Sequence, residues 1–378
     1  MRQQSAIVSV INDLVSDQRV HRTALTLQQS GYKVLLVGRK RRCSPPLPLR
    51  EYSTHRMALI FEKGPLFYAE FNIRLFLFLL IHRTSLLISN DLDTLLPNFI
   101  IQKLRNIPLV YDSHEYFTGV PELENRPFIQ KIWKMIERQI VPSISNMVTV
   151  NDSIAELYHK EYGIIPLVVR NIPLSKKNVS GYIPCRKDLG LSEKKRIILL
   201  QGAGININRG AEEAVLAMQY TDKATLLIIG DGDVIPRLKS IVHDYNLNDK
   251  VRFLPRQPLE QLAAYTLLAD IGITLDKNTN INYRFSLPNK LFDYIQAGLP
   301  VLASPLPEVK KIIEQYGCGV LIENHDPRHI ATCFNKMLND ELFLNQCSVN
   351  ALKAATILNG ETEQLPLLKL FRQLKMKE

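Results

Sequence analysis

One helix-to-strand unit of this chain reads SLPNKLFDYIQAGLPVLA over residues 286–303. A serine and a proline suit a loop that leads into a helix, so Ser286 and Pro288 predict that a helix follows them. The apolar run Val301–Ala303 predicts a buried strand. A helix that leads directly into a buried strand is the repeating unit of a parallel sheet.

The same alternation continues in both directions from this segment, and it predicts an α/β chain with two doubly wound units in tandem. The predicted strands are Ala6–Val10, Val34–Val37, Leu86–Ser89, Leu109–Tyr111, Met147–Val150, Leu167–Val169, Ile197–Leu200, Leu226–Ile229, Val251–Phe253, Ile271–Leu275 and Val301–Ala303. The predicted helices of the first half are Arg19–Ser30, Asn72–Ile81, Leu95–Arg105, Phe128–Ile140 and one that starts near Ser153.

The length of 378 residues exceeds that of one ordinary domain and predicts two. Between the two halves, Ile172 to Glu193 contains Pro173, Gly181 and Pro184 among several cations, a composition that suits an exposed linker. We therefore expect an N-terminal domain at 1–175, a C-terminal domain at 176–360, and a final helix at 361–378 that packs back on the N-terminal domain.

The composition is that of a soluble globular protein, with 46% hydrophobic and 22% charged residues and a mean hydropathy of -0.05. The most apolar run, Leu75–Ile81, is shorter than the ~20 residues that cross a bilayer, so we expect a buried helix there. Asn12 and Asp13 interrupt the first apolar strand before a signal-peptide core forms. These features predict a cytoplasmic protein.

The cysteines and histidines disfavour a metal site. Five cysteines stand far apart with no C-x-x-C pair, which predicts reduced thiols rather than structural zinc. His325 and His329 are four residues apart, as in some metal-binding helices, but Asp326-Pro327 between them looks like a helix start. We expect neither metal nor cofactor.

The net charge of +10 predicts attraction to an anionic partner, either a membrane surface, a phosphorylated substrate or nucleic acid. Nucleic acid is disfavoured, because the cations are spread over both halves with no aromatic-interleaved motif. The densest basic run, Arg39–Arg42, opens a proline-containing loop, Cys43–Arg56. Two interpretations stay open for this run: a solvated loop, or a patch that docks on anionic lipid or on the phosphates of a lipid-linked acceptor.

A glycine turn, Gly202-Ala203-Gly204, follows a predicted strand and allows phosphate to approach backbone N–H groups. The dinucleotide fingerprint would require a further glycine where Ile207 stands, so the turn is not that motif. Simple chain reversal is the alternative. Arg209-Gly210 at the start of the next helix favours diphosphate binding, because a guanidinium beside a helix N-terminus is a suitable clamp.

Lys290 and Asp293 are three residues apart and project from neighbouring points of one predicted helix. They offer a cation and a carboxylate to a single ligand. The alternative is a surface Lys–Asp pair on a capped helix.

The segments Pro288–Tyr294 and Gly298–Val301 resemble the donor-binding signature of the large family 4, or group 1, of retaining glycosyltransferases with the GT-B fold. The resemblance extends over most of the chain, through Asp17–Val20, Gly31–Val34, Ser89–Thr94, Val110–Glu115, Thr149–Ser153, Val169–Asn171 and Gly230–Gly232. It implies two Rossmann-like domains that face each other across a cleft, the first for the acceptor and the second for a nucleotide-sugar donor.

The resemblance also implies roles for individual residues. Asp293 would bind the donor ribose hydroxyls, and Arg209 would bind the diphosphate where the family usually has lysine. The remaining donor-side residues are Lys290, Ser286, Asn289 and the glycines Gly202, Gly204 and Gly210. Three residues would be catalytic. His114 would lie on the acceptor side near the anomeric carbon, and Arg209 and Lys290 would lie beside the leaving phosphate. Three further acceptor-side residues are Glu115, Asp17 and Arg19, of which Asp17 and Arg19 would lie on a loop that closes over the reacting groups.

Two positions depart from the family pattern. Gly204 stands where an arginine is common, which makes Arg209 the main diphosphate clamp. Phe285 stands where the family commonly has a first glutamate, which changes the contacts with the sugar.

The expected activity is metal-independent, hexosyltransferase-type transfer to a glycan or lipid-linked acceptor, in polysaccharide or cell-envelope glycan synthesis. We expect the protein in the cytoplasm, with peripheral attachment to the inner membrane face. Two alternatives stay open: a sugar-nucleotide epimerase of the same fold, and a non-catalytic donor-binding subunit.

Overall fold

The computed structural model describes residues 3–15, 17–175 and 185–376. The chain forms two compact units, Met1–Asn171 with Glu363–Glu378, and Ile172–Thr362. The strands of the first unit are β1 Ser5–Asp13, β2 Lys33–Lys40, β3 Ser53–Ala58, β4 Leu86–Asn90, β5 Leu109–Ser113, β6 Asn146–Thr149 and β7 Leu167–Val168. Its helices up to the boundary are α1 Gln18–Gln29, α2 Gly64–Ile81, α3 Leu95–Arg105, α4 Pro121–Glu124, α5 Pro127–Ile140 and α6 Asp152–Tyr162.

The second unit repeats the alternation. Its strands are β8 Arg196–Gly202, β9 Ala224–Gly230, β10 Val251–Leu254, β11 Ile271–Thr274, β12 Val301–Ala303 and β13 Gly319–Leu321. Its helices are α7 Ala211–Ala217, α8 Ile235–Asp244, α9 Leu259–Leu267, α10 Ile281–Arg284, α11 Asn289–Gln296, α12 Pro307–Tyr316, α13 Pro327–Asn339 and α14 Glu341–Ala355. Then α15 Gly360–Glu363 crosses the unit boundary, and α16 Leu365–Met376 belongs to the first unit.

Each unit is built on one parallel sheet in the described part of the chain. The strand orders are β3-β2-β1-β4-β5-β6-β7 and β10-β9-β8-β11-β12-β13. In both sheets the direction of winding reverses beside the first strand of the unit, between β1 and β4 and between β8 and β11. In sheets of this kind, ligands bind at the carboxyl ends of the strands where the winding reverses.

All the predicted strands are present, and the described residues form two more strands that were not predicted. β3 lies inside the segment predicted as a loop from Cys43 to Arg56, so that prediction is wrong from Ser53 onward. Only Met57 of β3 is buried, because an edge strand has one neighbour and this one has no apolar alternation. β13 is an edge strand of three residues and gives a similarly weak signal.

The prediction that Leu75–Ile81 is a buried helix is also wrong. These residues end α2, which starts at Gly64 and buries one face only, Phe67, Phe71, Leu75 and Leu79. Over the described residues, α2 alone is long and apolar enough, by length and composition, to cross a membrane, and 22% of it is buried. The four-residue spacing of the buried side chains fits a helix that lies on a sheet.

The segment predicted as an exposed linker starts with a buried residue. Ile172 is packed into the core of the second unit, and the carbonyl of Pro173 accepts hydrogen bonds from Gln296 Nε2 at 3.0 Å and from Gly360 N at 2.9 Å. Gly181 and Pro184 lie outside the described residues.

The last helix completes the core of the first unit. Leu367, Phe371 and Leu374 are buried against the side of the sheet that α1 also covers. Arg170 contacts both carboxylate oxygens of Glu363, with the shortest distance 2.8 Å.

Candidate functional site

The glycine turn after β8 lies at the point where the second sheet reverses. Gly230, at φ +141°, ends the neighbouring strand, and a Cβ on it would lie 1.8 Å from the carbonyl oxygen of Gly202. Only glycine permits this approach, which brings two strand ends together. The turn borders a cavity of about 350 Å³, whose wall consists of Leu200–Ile205, Arg209 and Leu287–Lys290.

A second close approach positions Arg209. Gly210 caps α7 with φ +72°, and a Cβ there would lie 2.2 Å from the carbonyl oxygen of Leu275. Arg209 is therefore held at the start of α7, beside the residues that follow β11. Gly204 differs from these two glycines. A Cβ added to it would lie 3.6 Å from its nearest neighbour, the side-chain amide nitrogen of Asn206, so the exposed turn has room for a side chain there.

A buried carboxylate holds the two cations of this cavity. Arg209 Nη1 lies 3.3 Å from Asp276 Oδ2, and Lys290 Nζ lies 3.7 Å from Asp276 Oδ1. The Arg209 guanidinium also lies over the ring of Tyr283, 4.6 Å from its centroid. Two positive groups that share one carboxylate keep an excess positive charge beside the glycine turn, as an anion-binding site requires.

Burial lowers the pKa of Lys290 and the Arg209 charge lowers it further, whereas the Asp276 carboxylate opposes both. Asp276 therefore helps to keep Lys290 protonated.

The loop before α11 places two further predicted donor-side residues. The Ser286 hydroxyl is buried and has no hydrogen-bond partner among the described residues. Asn289 is the exposed first residue of α11 and lines the cavity with Lys290. The helix starts directly after Pro288, as predicted.

Asp293 lies one helical turn beyond Lys290 and is not part of the wall of this cavity. Its Oδ2 accepts a hydrogen bond of 3.3 Å from Gln201 Nε2, and Gln201 Oε1 accepts one of 2.9 Å from the Thr266 hydroxyl. Gln201 is buried and does line the cavity. The predicted Lys290–Asp293 pair thus contacts two different partners, Asp276 and Gln201.

In the first unit, a second cluster forms at the carboxyl ends of β4 and β5. The His114 imidazole lies 3.2 Å from Asp91 Oδ2 through Nδ1, while its Nε2 lies 3.2 Å from Asn90 Oδ1 and 3.5 Å from Asp112 Oδ2. Arg19 Nη2 contacts the other Asp112 oxygen at 2.6 Å. Asp91 has φ +58° and ψ 170°, an uncommon backbone conformation for a residue with a side chain.

The charged groups of this cluster change one another's pKa values. Burial alone would lower the pKa of His114, but the Asp91 and Asp112 carboxylates outweigh it and raise that pKa. Burial would raise the pKa of Asp112, but Arg19 and His114 hold it well below its usual value. Burial raises the pKa of Asp91, whereas the positive charges of His114 and Arg19 oppose that rise. The structure therefore favours an imidazolium that is held between Asp91 and Asp112.

The other residues predicted on the acceptor side are Asp17, Arg19 and Glu115, and each belongs to this cluster or is close in sequence to one of its residues. Asp17 is the N-cap of α1 and accepts hydrogen bonds from Val20 N and from the Asn12 amide, both at 3.1 Å. Arg19 belongs to the first turn of that helix. Glu115 is exposed, and its backbone oxygen accepts a hydrogen bond of 2.7 Å from the Ser113 hydroxyl.

The described residues contain no group of three or more His, Cys, Asp or Glu side chains that could hold a metal ion. His325 Nε2 lies 3.1 Å from the Ser304 hydroxyl and 3.0 Å from the Leu275 carbonyl oxygen. His329 Nε2 accepts a hydrogen bond from Glu323 N, and α13 starts after Asp326 as predicted.

Sequence reasoning assigned no role to the residues that hold these side chains in place. Asp276, Gln201 and Asp112 each stand at or just past the carboxyl end of a strand in a parallel sheet. That position is itself a signal of a binding site, because all such ends meet at one edge. Their pairing with Arg209, Asp293 and Arg19 depends on tertiary contacts that no local pattern encodes.

Two family models match this chain. The model described as Glycosyltransferase Family 4 matches residues 17–173, and the model described as Glycosyl transferases group 1 matches residues 185–354. Together they cover most of both units.

Individual relatives are distant. The chain is 23% identical over 224 residues to the D-inositol 3-phosphate glycosyltransferase of Thermobispora bispora, covering 56% of this chain and 51% of the relative. The chain thus spans about half the length of this curated relative.

Two solved structures have the same GT-B fold. Sucrose-phosphate synthase from Thermosynechococcus elongatus has a TM-score of 0.78 at 20% identity and full coverage of both chains. HepE from Anabaena, solved in complex with UDP-glucose, has a TM-score of 0.70 at 15% identity and 98% coverage of both chains.

Proposed function

Because this chain belongs to the family 4, group 1 glycosyltransferases, we propose that it is a retaining enzyme that transfers a hexose from a nucleotide-diphosphate sugar. In this proposal the second unit binds the donor and the first binds the acceptor. The complex of HepE with UDP-glucose supports a donor of this class.

The observation that carries the proposal is the cavity beside the glycine turn, with its two cations on Asp276. A diphosphate carries negative charge that a Gly-x-Gly turn with exposed N–H groups and two nearby cations would neutralise. Arg209 and Lys290 both line this cavity. Asp293 would contact the donor from the next turn of α11, through ribose hydroxyls that donate to its carboxylate.

The chemistry follows from the charge that builds up during transfer. The sugar passes through an oxocarbenium-like transition state while negative charge develops on the departing phosphate. Arg209 and Lys290 would stabilise that charge without reorganisation, an effect commonly worth several kcal/mol. We assign no protein nucleophile, and in our proposal the leaving phosphate accepts the proton of the incoming hydroxyl on the same face of the sugar. This reaction requires no metal.

His114 would act on the transferring sugar from the first unit. Its cluster favours the imidazolium, which can donate a hydrogen bond but cannot accept a proton. We therefore propose that His114 is not the general base. Its Nε2 lies 3.2 Å from Asn90 Oδ1 and 3.5 Å from Asp112 Oδ2, so a hydrogen bond to a sugar hydroxyl would replace one of these contacts.

The acceptor would be a glycan or a lipid-linked glycan in polysaccharide or cell-envelope synthesis, and the enzyme would act in the cytoplasm, peripherally on the inner membrane face. The net charge of +10 supports an anionic surface or acceptor.

The test is the anomeric configuration of the product. The enzyme is incubated with a nucleotide-sugar and a panel of simple alkyl glycosides, and the product is examined by proton NMR. We expect an α-linked product from an α-linked donor, and an inverted linkage would reject the retaining mechanism. A parallel incubation without acceptor tests the first alternative, because an epimerised sugar there would indicate an epimerase. Donor binding with no turnover in either incubation would indicate a non-catalytic subunit.

A further inference from the structure

The long helix α2 has two apolar faces. Phe67, Phe71, Leu75 and Leu79 are buried, at a spacing of four residues. A second apolar stripe lies on the opposite side of the helix and faces solvent. Its members are Leu66, Ile73, Leu77, Leu80 and Ile81.

Two neighbouring helices repeat this feature. α3 contacts both α2 and α5, and the Tyr68 ring of α2 lies edge-on to the Trp133 ring of α5, with centroids 5.3 Å apart. The exposed apolar residues of α3 are Leu96, Ile100 and Leu104, and those of α5 are Phe128, Ile132 and Met135. Each set repeats at three or four residues, so it forms one stripe on the outer side of its helix. We call these eleven side chains of α2, α3 and α5 the outer apolar face.

The charge on these helices is almost entirely positive. Their only carboxylates are Glu70, which accepts hydrogen bonds from Ile60 N, Phe61 N and Arg74, and Glu137, which is buried. Arg83 lies two residues after α2, and the cations of the three helices are Arg74, Lys103, Arg105, Lys131, Lys134 and Arg138. Arg74 pairs with Glu70, and Lys134 and Arg138 lie 2.7 Å and 3.9 Å from Glu161 of α6, which leaves Lys103, Arg105 and Lys131 without an ion pair among the described residues.

The basic run Arg39–Arg42 contacts the start of α2 and the residues just before it. The Arg39 guanidinium lies over the ring of Phe67, 4.5 Å from its centroid, and the backbone N–H of Arg42 donates a 3.0 Å hydrogen bond to Glu62. Phe67 belongs to the buried stripe of α2, so this run lies at the N-terminal end of that helix and is not part of the outer apolar face.

We infer that the outer apolar face of α2, α3 and α5 docks on an anionic lipid surface, with its side chains inserted into the headgroup region. Exposed apolar side chains that cluster on neighbouring helices, rather than standing singly, mark an interaction surface. An apolar stripe bordered by cations, on a helix whose other face is packed, is the pattern of a helix that lies in a membrane interface. The buried stripe of α2 holds that helix to the sheet, so it would lie on the bilayer rather than cross it. This inference rests on the proposed function for its biological reason, a lipid-linked acceptor, but not for its physical basis.

The test compares co-sedimentation of the full chain with vesicles of phosphatidylcholine alone and of phosphatidylcholine mixed with phosphatidylglycerol. The test variant is Leu77→Gln/Leu80→Gln/Ile81→Gln, at positions that are 51%, 45% and 77% exposed. The matched control is Ile165→Gln/Leu342→Gln/Ile357→Gln, at 82%, 84% and 54% exposed positions outside the outer apolar face. Both variants remove three exposed apolar side chains, and neither changes the charge.

We expect wild type and control to bind the anionic vesicles, less so as salt rises, and the test variant to bind at least roughly tenfold more weakly. The inference would be overturned if the test variant sedimented at the wild-type level, or if the wild type bound the neutral and the anionic vesicles equally well. A wild-type dimer in analytical ultracentrifugation that the test variant abolishes would also overturn it, because a second copy would then cover the face. Donor affinity is measured on the same proteins without lipid. If the test variant binds vesicles weakly but binds the donor normally, the defect concerns the outer apolar face alone. If the wild type binds vesicles but transfers no sugar, only the proposed function is refuted.

Discussion

At the residue scale, Asp276 controls the charge of the glycine-turn cavity. It is 1% exposed as a side chain and touches both Arg209 and Lys290. Its carboxylate opposes the burial that lowers the pKa of Lys290. If Lys290 acts as a cation, its neighbour Asp276 sets the pH above which activity is lost.

We predict that Asp276→Asn shifts the alkaline limb of the kcat profile to lower pH. Removing the carboxylate lowers the pKa of Lys290 further, so the lysine loses its proton at a lower pH and activity falls earlier as pH rises. At pH 8 we expect a fall in kcat of about tenfold, or ~1.4 kcal/mol. A pH–rate series checks this, with Asp222→Asn, an exposed acid on the same unit, as the control. An alkaline limb at the wild-type position would show that Asp276 only supports the fold.

A second prediction at this scale concerns Asp293→Asn. If the carboxylate accepts ribose hydroxyls, its conversion to an amide removes charge-assisted bonds worth ~1.5–3 kcal/mol, which weakens donor binding at least about tenfold. Isothermal titration with the nucleotide-sugar measures the change. Wild-type affinity in a folded variant would place Asp293 outside the donor site.

The residue types of the site were partly predictable. Arg209 and Lys290 stand in local patterns, beside a helix start and a glycine turn, and the structure brings them to one cavity. Asp276 has no such pattern, because its role depends on side chains that are 67 and 14 residues away in the chain. The contact between Gln201 and Asp293 joins a strand to a helix 92 residues later and is equally invisible in local sequence.

At the scale of elements, the starts of helices pack closely against the ends of neighbouring strands only where a glycine lets the two backbones approach. Gly210 is the clearest case, with a left-handed backbone and the Leu275 carbonyl directly behind it. Leu275 follows β11, so this contact fixes the start of α7 against the neighbouring strand and places Arg209 in the cavity.

We predict that Gly210→Ala lowers the free energy of unfolding by at least about 3 kcal/mol, because left-handed strain of ~1–3 kcal/mol adds to a clash with backbone. Gly190→Ala is the matched control: its φ is +62°, but an added Cβ would meet nothing within 4 Å, so the strain acts alone and we expect about 1 kcal/mol. Urea unfolding measures both. Equal losses in the two variants would mean that the close approach to Leu275 is unimportant.

Elements with strong periodicity were predicted well, and the misses have a common cause. β3 buries only Met57, so apolar alternation does not mark it. The predicted start of α2 at Asn72 was late, because apolar residues surround this helix on all sides and hide its period. The same property left the outer apolar face unseen in the sequence.

At the scale of the whole molecule, the chain leaves the first unit at Asn171 and returns to it at Glu363. The returning helix buries Phe371 completely among side chains of the first core. The first unit therefore cannot form its full core until the second unit has been synthesised.

We predict that Phe371→Ala destabilises the first unit by ~3–5 kcal/mol, the usual cost of a large buried aromatic cavity. Hydrogen exchange with mass spectrometry would detect faster exchange in peptides of the first unit and little change in the second. The control is Leu365→Ala on the same helix, where the side chain is 58% exposed. Uniform acceleration in both units would show that they unfold as one.

In the proposed reaction, Arg209 of the second unit stabilises charge on a departing nucleoside diphosphate. A thermal-shift panel of nucleotide-sugars first identifies the donor, since a ligand at ~100 times its dissociation constant adds about 2.7 kcal/mol of stability. The decisive measurement is then kcat and donor Kd for wild type and Arg209→Ala side by side. We predict a fall in kcat of about 10²–10³ with a smaller change in Kd, because the lost interaction acts mainly in the transition state. A variant that loses donor affinity but keeps its kcat at saturation, or a wild type that turns over no nucleotide-sugar at all, would contradict the account.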